Sequence, residues 1–210
     1  MTQAGAYEQL RAAIVSGRLQ PNERLVEADL TEALGAGRSA LRTAFARLAQ
    51  EGLIEHTPNR GARVRMIGED EAVEILEARS VLEALAARRA AERATAQDAE
   101  RLRALLAEMR TRLDAGDLLG ASDHNALLHR ALLDIAGHAI VDRLVGTLNS
   151  HLVRFQYRTI LVPGRAERSF AEHTAIVEAV AAGDPDAAEA AMRRHLSHAT
   201  AALRESAASH

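Results

Sequence analysis

The sequence predicts a mainly α-helical protein in two parts: an N-terminal winged helix-turn-helix over residues 1–67 and a C-terminal all-α antiparallel helical bundle over residues 68–210. Three observations carry this expectation. The apolar set makes up 48% of the chain but aromatic residues only 2%, and a core of Ala and Leu suits closely packed helices better than stacked sheets. From Glu69 onward every apolar stripe repeats at three to four residues and no strand pattern is found. Strand-like runs are confined to LIEHTPNRGARVRMI, where Pro58, Asn59 and Gly61 mark a turn between two short segments.

The N-terminal elements follow in order. YEQLRAAIV carries Leu10, Ile14 and Val15 at helical spacing, stops at Gly17, and cannot continue through Pro21. EADLTEAL carries Leu30, Ala33 and Leu34 and ends in a Gly-Ala-Gly turn. A third helix begins after Gly37, with Ser39 as the expected cap and Leu41, Phe45 and Leu48 on one face, and Gly52 ends it. The hairpin follows. Helix, helix, helix and hairpin within about 66 residues is the order of a winged helix-turn-helix, whose third helix enters the major groove of DNA while the hairpin tip reaches the flank.

Six helices are expected in the second part. They begin near Glu69, Thr95, Leu118, His138, Arg168 and Pro185, with Thr95 and Asp184 as caps and Gly116 closing the second. Short connections make them an antiparallel bundle with a fraying C-terminal end.

Composition narrows the chemistry. There is no Cys, which excludes disulfides and thiolate sites, so any metal must use His, carboxylate or amide ligands. No apolar run reaches membrane-span length, and MTQAGAYEQLRAAI lacks the charged start and apolar block of a signal peptide, so a cytoplasmic protein without a membrane partner is expected. Residues 1–66 hold nine Arg against seven acidic residues, and residues 67–210 hold 17 against 22, which makes the first part the better partner for a polyanion. In the third helix Arg38 and Arg42 project from one side, opposite the apolar face, with Ser39 beside them. Such a pair can address guanine edges or phosphates, and Arg60 with Gly61 at the hairpin tip supplies a second contact.

The bundle holds polar residues where apolar ones belong. The stripe Ala121, Asn125, Leu128, His129, Leu132, Ala136 aims Asn125 and His129 inward, and His173 and His195 interrupt the stripes of the last two helices in the same way. His124 turns off the stripe and is expected in solvent. Three imidazoles facing one interior need partners, and few carboxylates share their stripes; Glu172 adjoins His173 but points about 100° away on the helix. Two explanations stand: a hydrogen-bonded polar core, or a divalent cation, Zn²⁺ or Ni²⁺ by donor type, held by Asn125, His129, His173 and His195. Arg79 and Arg158 also interrupt or border apolar faces. Either could clamp an organic acid, while Arg79 could equally pair with Glu83 and Arg158 snorkel.

These residues resemble a known family. The stretch IVSGRLQPNERLVEADLTEALGAGRSALRTAFARLAQEGLIEHTPNRGARV resembles the winged helix-turn-helix of GntR-type bacterial transcription regulators, and the downstream helices resemble the FCD ligand-binding domain of the FadR subgroup. The resemblance spans nearly the whole chain. It implies metal ligands at Asn125, His129, His173 and His195, DNA contacts at Arg38 and Arg42, and a wing contact at Arg60 and Gly61. The sequence departs from the family at Gly37, Ala40 and Thr43, where Ser, Pro and Glu are usual, so the fold transfers better than the operator. Asn125 stands where Asp is commoner, which removes a negative charge from the site. The expected function is a homodimeric, non-enzymatic regulator, a repressor released from a palindromic operator by a small organic acid. Two rival readings remain, a regulator that senses the ion itself and a metal-dependent hydrolase.

Overall fold

The computed structural model describes residues 3–57 and 61–208, which fall into two compact units. One comprises Met1–Gly68 with Asn149–Val153, and the other Glu69–Leu148 with Arg154–His210.

The first unit is built from α1 (Gln3–Val15), β1 (Arg24–Leu25), α2 (Glu27–Leu34), α3 (Arg38–Gln50), β2 (Ile54–Thr57) and β3 (Gly61–Val64). The sheet order is β1-β3-β2, antiparallel throughout, with Ile54 opposite Val64, Glu55 opposite Arg63 and Leu25 opposite Ala62. Alternation along β3 buries Ala62 and Val64 and exposes Gly61 and Arg63. The buried side joins Leu10, Leu41, Phe45 and Leu48 in one apolar core, where each large side chain contributes roughly 1.5–3 kcal/mol.

Three local features differ from expectation. Helix α1 begins at Gln3, ahead of Tyr7, because Ala6 is itself fully buried in the core. Strand β1 has two residues, too few to show a period in sequence. The cap of α3 is Gly37 rather than Ser39, with extended backbone and no side-chain hydrogen bond, so Ser39 lies inside the first turn.

The second unit contains α4 (Glu69–Arg93), α5 (Ala96–Asp114), α6 (Leu118–Ala136), α7 (Ala139–Ile160), α8 (Arg165–Ala181) and α9 (Pro185–Ala208). Thr95 caps α5 through a reciprocal pair with Asp98. Asp117, which spacing alone does not single out, caps α6 by accepting from the Gly120 amide, and Asp184 does the same for α9 through the Ala187 amide. Helix α4 packs along α9 and α6, α5 against α6 and α8, and α8 against α9. Leu102, Met109, Leu128, Leu132, Ile176, Met192 and Leu196 form their shared core. Among the described residues no helix is long and apolar enough to cross a membrane.

Candidate metal centre and nucleic-acid interface

Helices α2 and α3, joined by the turn at residues 35–37, form the helix-turn-helix. Burying Leu41, Ala44, Phe45 and Leu48 fixes which side of α3 faces the core. The opposite side therefore presents Arg38, Ser39 and Arg42 to solvent near the helix N-terminus, where the positive end of the helix dipole adds to the two guanidinium charges. Arg42 is 73% exposed and lies 3.5 Å from the Glu27 carboxylate of α2, a contact of the kind that contributes little in water. Gly61 opens β3 with φ +84°, a backbone state that favours glycine. Arg60 lies outside the described residues.

In the helical unit the three histidines meet. His129, His173 and His195 are 5%, 0% and 4% exposed, and one ring nitrogen from each lies within 4.8 Å of the others. His129 Nε2 and His173 Nε2 are 3.3 Å apart. Two nitrogens each about 2.0–2.1 Å from one tetrahedral zinc ion have nearly this separation. Burial, followed by the neighbouring imidazoles, holds His173 and His195 well below the usual histidine range, so both keep an unprotonated lone pair at neutral pH.

Two carboxylates orient the rings. Glu83, fully buried on α4, accepts from His129 Nδ1 at 2.5 Å and from Arg79 Nε at 2.6 Å. Burial pushes the Glu83 carboxyl up, but Arg79 and His129 outweigh it and hold it well below the usual carboxylate range. An ionised carboxylate only accepts, so His129 Nδ1 donates to it and Nε2 is the ring nitrogen that faces His173. Glu172 accepts from His195 Nδ1 at 2.8 Å, from Arg165 Nη1 at 2.9 Å and from His198 Nδ1 at 2.8 Å, which fixes His195 the same way. A carboxylate behind a ligating histidine is the usual way a metal site sets tautomer and ring orientation. The fourth polar residue is Asn125, one turn before His129 on α6. Its Oδ1 is buried without a hydrogen-bond partner, and a divalent cation would satisfy it. The donor set of three neutral nitrogens and one amide oxygen fits Zn²⁺ or Ni²⁺.

Several sequence expectations change here. The stripes do find carboxylates: Glu172 turns from His173, as its helical angle requires, but toward His195 of the adjacent helix, and Glu83 arrives from α4. Arg79 makes the i+4 pair with Glu83. His124 is half-buried, with Nδ1 bonded to the Gly120 carbonyl at 2.9 Å, rather than solvated. Arg158 lies on α7, and its side chain is outside the described residues. Sequence reasoning missed Glu83, Glu172 and Arg165 as site residues. The signals were the i+4 spacing of Arg79 to Glu83 and the i+7 spacing of Arg165 to Glu172, neither of which reveals a partner on another helix.

The gntR family model of bacterial regulatory proteins matches residues 2–64, and the FCD domain model matches residues 74–198. The chain is a GntR-family transcriptional regulator. Its FCD domain supplies the helical unit, and its family consists of DNA-binding regulators rather than enzymes, which removes the hydrolase reading. This GntR regulator is 30% identical over 207 residues to the HTH-type transcriptional regulator LutR of Bacillus subtilis, covering 88% of this chain and 93% of that one. It is 27% identical over 199 residues to the HTH-type transcriptional repressor RspR of Escherichia coli, covering 95% and 87%. Among solved structures, E. coli McbR/YncC matches with a TM-score of 0.80 at 22% identity, over 98% of this chain and 99% of that one, a likeness of fold.

Proposed function

We propose that this GntR regulator is a cytoplasmic, homodimeric, metal-dependent repressor of the FadR subgroup that releases a palindromic operator when a small organic acid binds at its metal centre. The observation that carries the reading is the convergence of three buried imidazoles, supported by a buried amide oxygen without a hydrogen-bond partner one helical turn before His129. His129, His173, His195 and Asn125 would hold the cation, and Glu83 and Glu172 would keep the His129 and His195 rings turned toward it. When bound, the cation supplies a Lewis-acidic anchor for a carboxylate oxygen.

Arg79 and Arg158 are the proposed effector clamps. Arg79 Nε is engaged by Glu83, so this guanidinium is held in place before a ligand arrives, which lowers the ordering cost of binding. Arg38, Ser39 and Arg42 on α3 would contact the operator, with Arg60 and Gly61 at the wing. Two copies give two such helices, hence a two-fold DNA site. RspR, a related repressor, supports the sign of regulation.

The test uses DNA selected from a random library in parallel by the stripped and by the metal-loaded full chain. Operator affinity is measured by fluorescence anisotropy for stripped protein, metal-loaded protein, and metal-loaded protein with a panel of carboxylates. Release by one or more acids from the loaded protein alone is the expected result. Release by metal without any acid assigns the signal to the ion, and affinity indifferent to both metal and acids overturns the reading.

A further inference from the structure

Among the described residues, the buried charges of the helical unit pair one to one. Glu83 is 1% exposed and faces Arg79 at 2.6 Å. Arg165 is 4% exposed and faces Glu172 at 2.9 Å. Each pair sums to zero. The remaining partner of Glu172, His198, is 59% exposed at its side chain and surrounded by water. A histidine that donates a lone pair to a metal is neutral, and so is the amide of Asn125. A divalent cation in this donor set therefore brings two positive charges into a buried site whose own charged residues, among those described, already cancel. Uncompensated charge in an interior is strongly unfavourable.

We propose that the effector is a dianion, a small dicarboxylate, and that Asn125 is the residue that sets this charge. The inference rests on the metal-dependent reading above and deepens it from an organic acid to one of stated charge. One neutral ligand in place of a carboxylate leaves room for one more negative charge on the effector. Arg79 and Arg165 reinforce the choice: each guanidinium has more N–H groups than its pair with Glu83 or Glu172 uses, and the proposed clamp at Arg158 adds to the positive side. With Asp at position 125 the preference for the second negative charge falls.

The probe pair is succinate and butyrate, four carbons each, titrated calorimetrically into the metal-loaded full chain and its Asn125→Asp variant at neutral pH. In the wild type succinate binds at least about tenfold more tightly than butyrate. In the variant that ratio falls to about threefold or less, because the added carboxylate repels the second charge. Chelation by two carboxylates would keep the same preference in both proteins, so an unchanged ratio overturns the proposal. Butyrate binding as tightly as succinate in the wild type overturns it, and so does the absence of binding by any dicarboxylate from oxalate to glutarate.

A second readout covers a variant that does not fold. Near the second pKa of succinate, a site that takes only the dianion releases a proton from hydrogen succinate. Wild-type binding heats in two buffers of different ionisation enthalpy then differ, and equal heats count against the dianion. Elemental analysis separates the two levels of failure. Wild-type protein that takes up no metal defeats the metal reading, whereas metal uptake without a dianion preference defeats this inference alone.

Discussion

Glu83 has both carboxylate oxygens committed, one to Arg79 Nε and one to His129 Nδ1. Gln at this position keeps the shape but not the charge, so one of its two groups must present an N–H to a donor. Partners behind ligating histidines are typically worth 10–100-fold in metal affinity, about 1.4–2.7 kcal/mol. Glu83→Gln is therefore expected to weaken metal binding by that factor, measured by competition with a chromophoric chelator, while Glu77→Gln on the exposed side of α4 leaves it unchanged. Equal affinities for wild type and Glu83→Gln would reduce Glu83 to a packing partner of Arg79. Half of this arrangement was legible in the sequence. The Arg79 to Glu83 spacing is a local i+4 pair, whereas His129 lies 46 residues further on, and no period of a single helix reports a contact between helices.

At the level of elements, the stripe that aims His129 inward is the same 3.6-residue repeat that buries Leu128 and Leu132, and so the three helices that carry the buried imidazoles could be read from spacing. Helix α3 was legible for the same reason, through Leu41, Phe45 and Leu48. What spacing could not supply was the pairing of β1, which depends on a strand about 40 residues away, or the ion pair between Glu27 of α2 and Arg42 of α3. That ion pair has a consequence for DNA binding. Arg42 must exchange Glu27 for a phosphate or base, which offsets up to roughly 1 kcal/mol of its contact, whereas Arg38 meets no such competitor within the first turn of α3, which contains no acidic residue. Arg38→Ala is expected to cost about 1–3 kcal/mol of operator affinity, and Arg42→Ala roughly 1 kcal/mol less. Glu27→Gln is expected to tighten binding by up to about fivefold. Anisotropy titrations at several salt concentrations measure all three, and an Arg42→Ala loss equal to or larger than that of Arg38→Ala contradicts the competition.

For the whole molecule, the proposed effector site and the proposed DNA site belong to different units of the chain, so regulation requires a coupling free energy between them. Such a coupling is reciprocal: if the effector weakens operator binding by some factor, the operator must weaken effector binding by the same factor. Couplings of this kind are typically about 1–3 kcal/mol, a factor of roughly 5–150, and a ligand with equal affinity for both states would shift nothing. The acid that releases DNA most strongly in the carboxylate panel is the ligand to use. Its dissociation constant is measured calorimetrically on the metal-loaded regulator, free and saturated with operator, and the ratio is compared with the shift in operator affinity that the acid produces. The two ratios are expected to agree within error. The comparison also distinguishes allosteric release from loss of the cation, because an acid that strips the metal lowers elemental metal content in step with DNA release and yields no saturable binding isotherm on the stripped protein. Saturable binding, retained metal and matched ratios together identify a population shift between two states of the loaded regulator. Retained metal with an effector affinity indifferent to operator would mean that the centre binds its acid without regulating DNA.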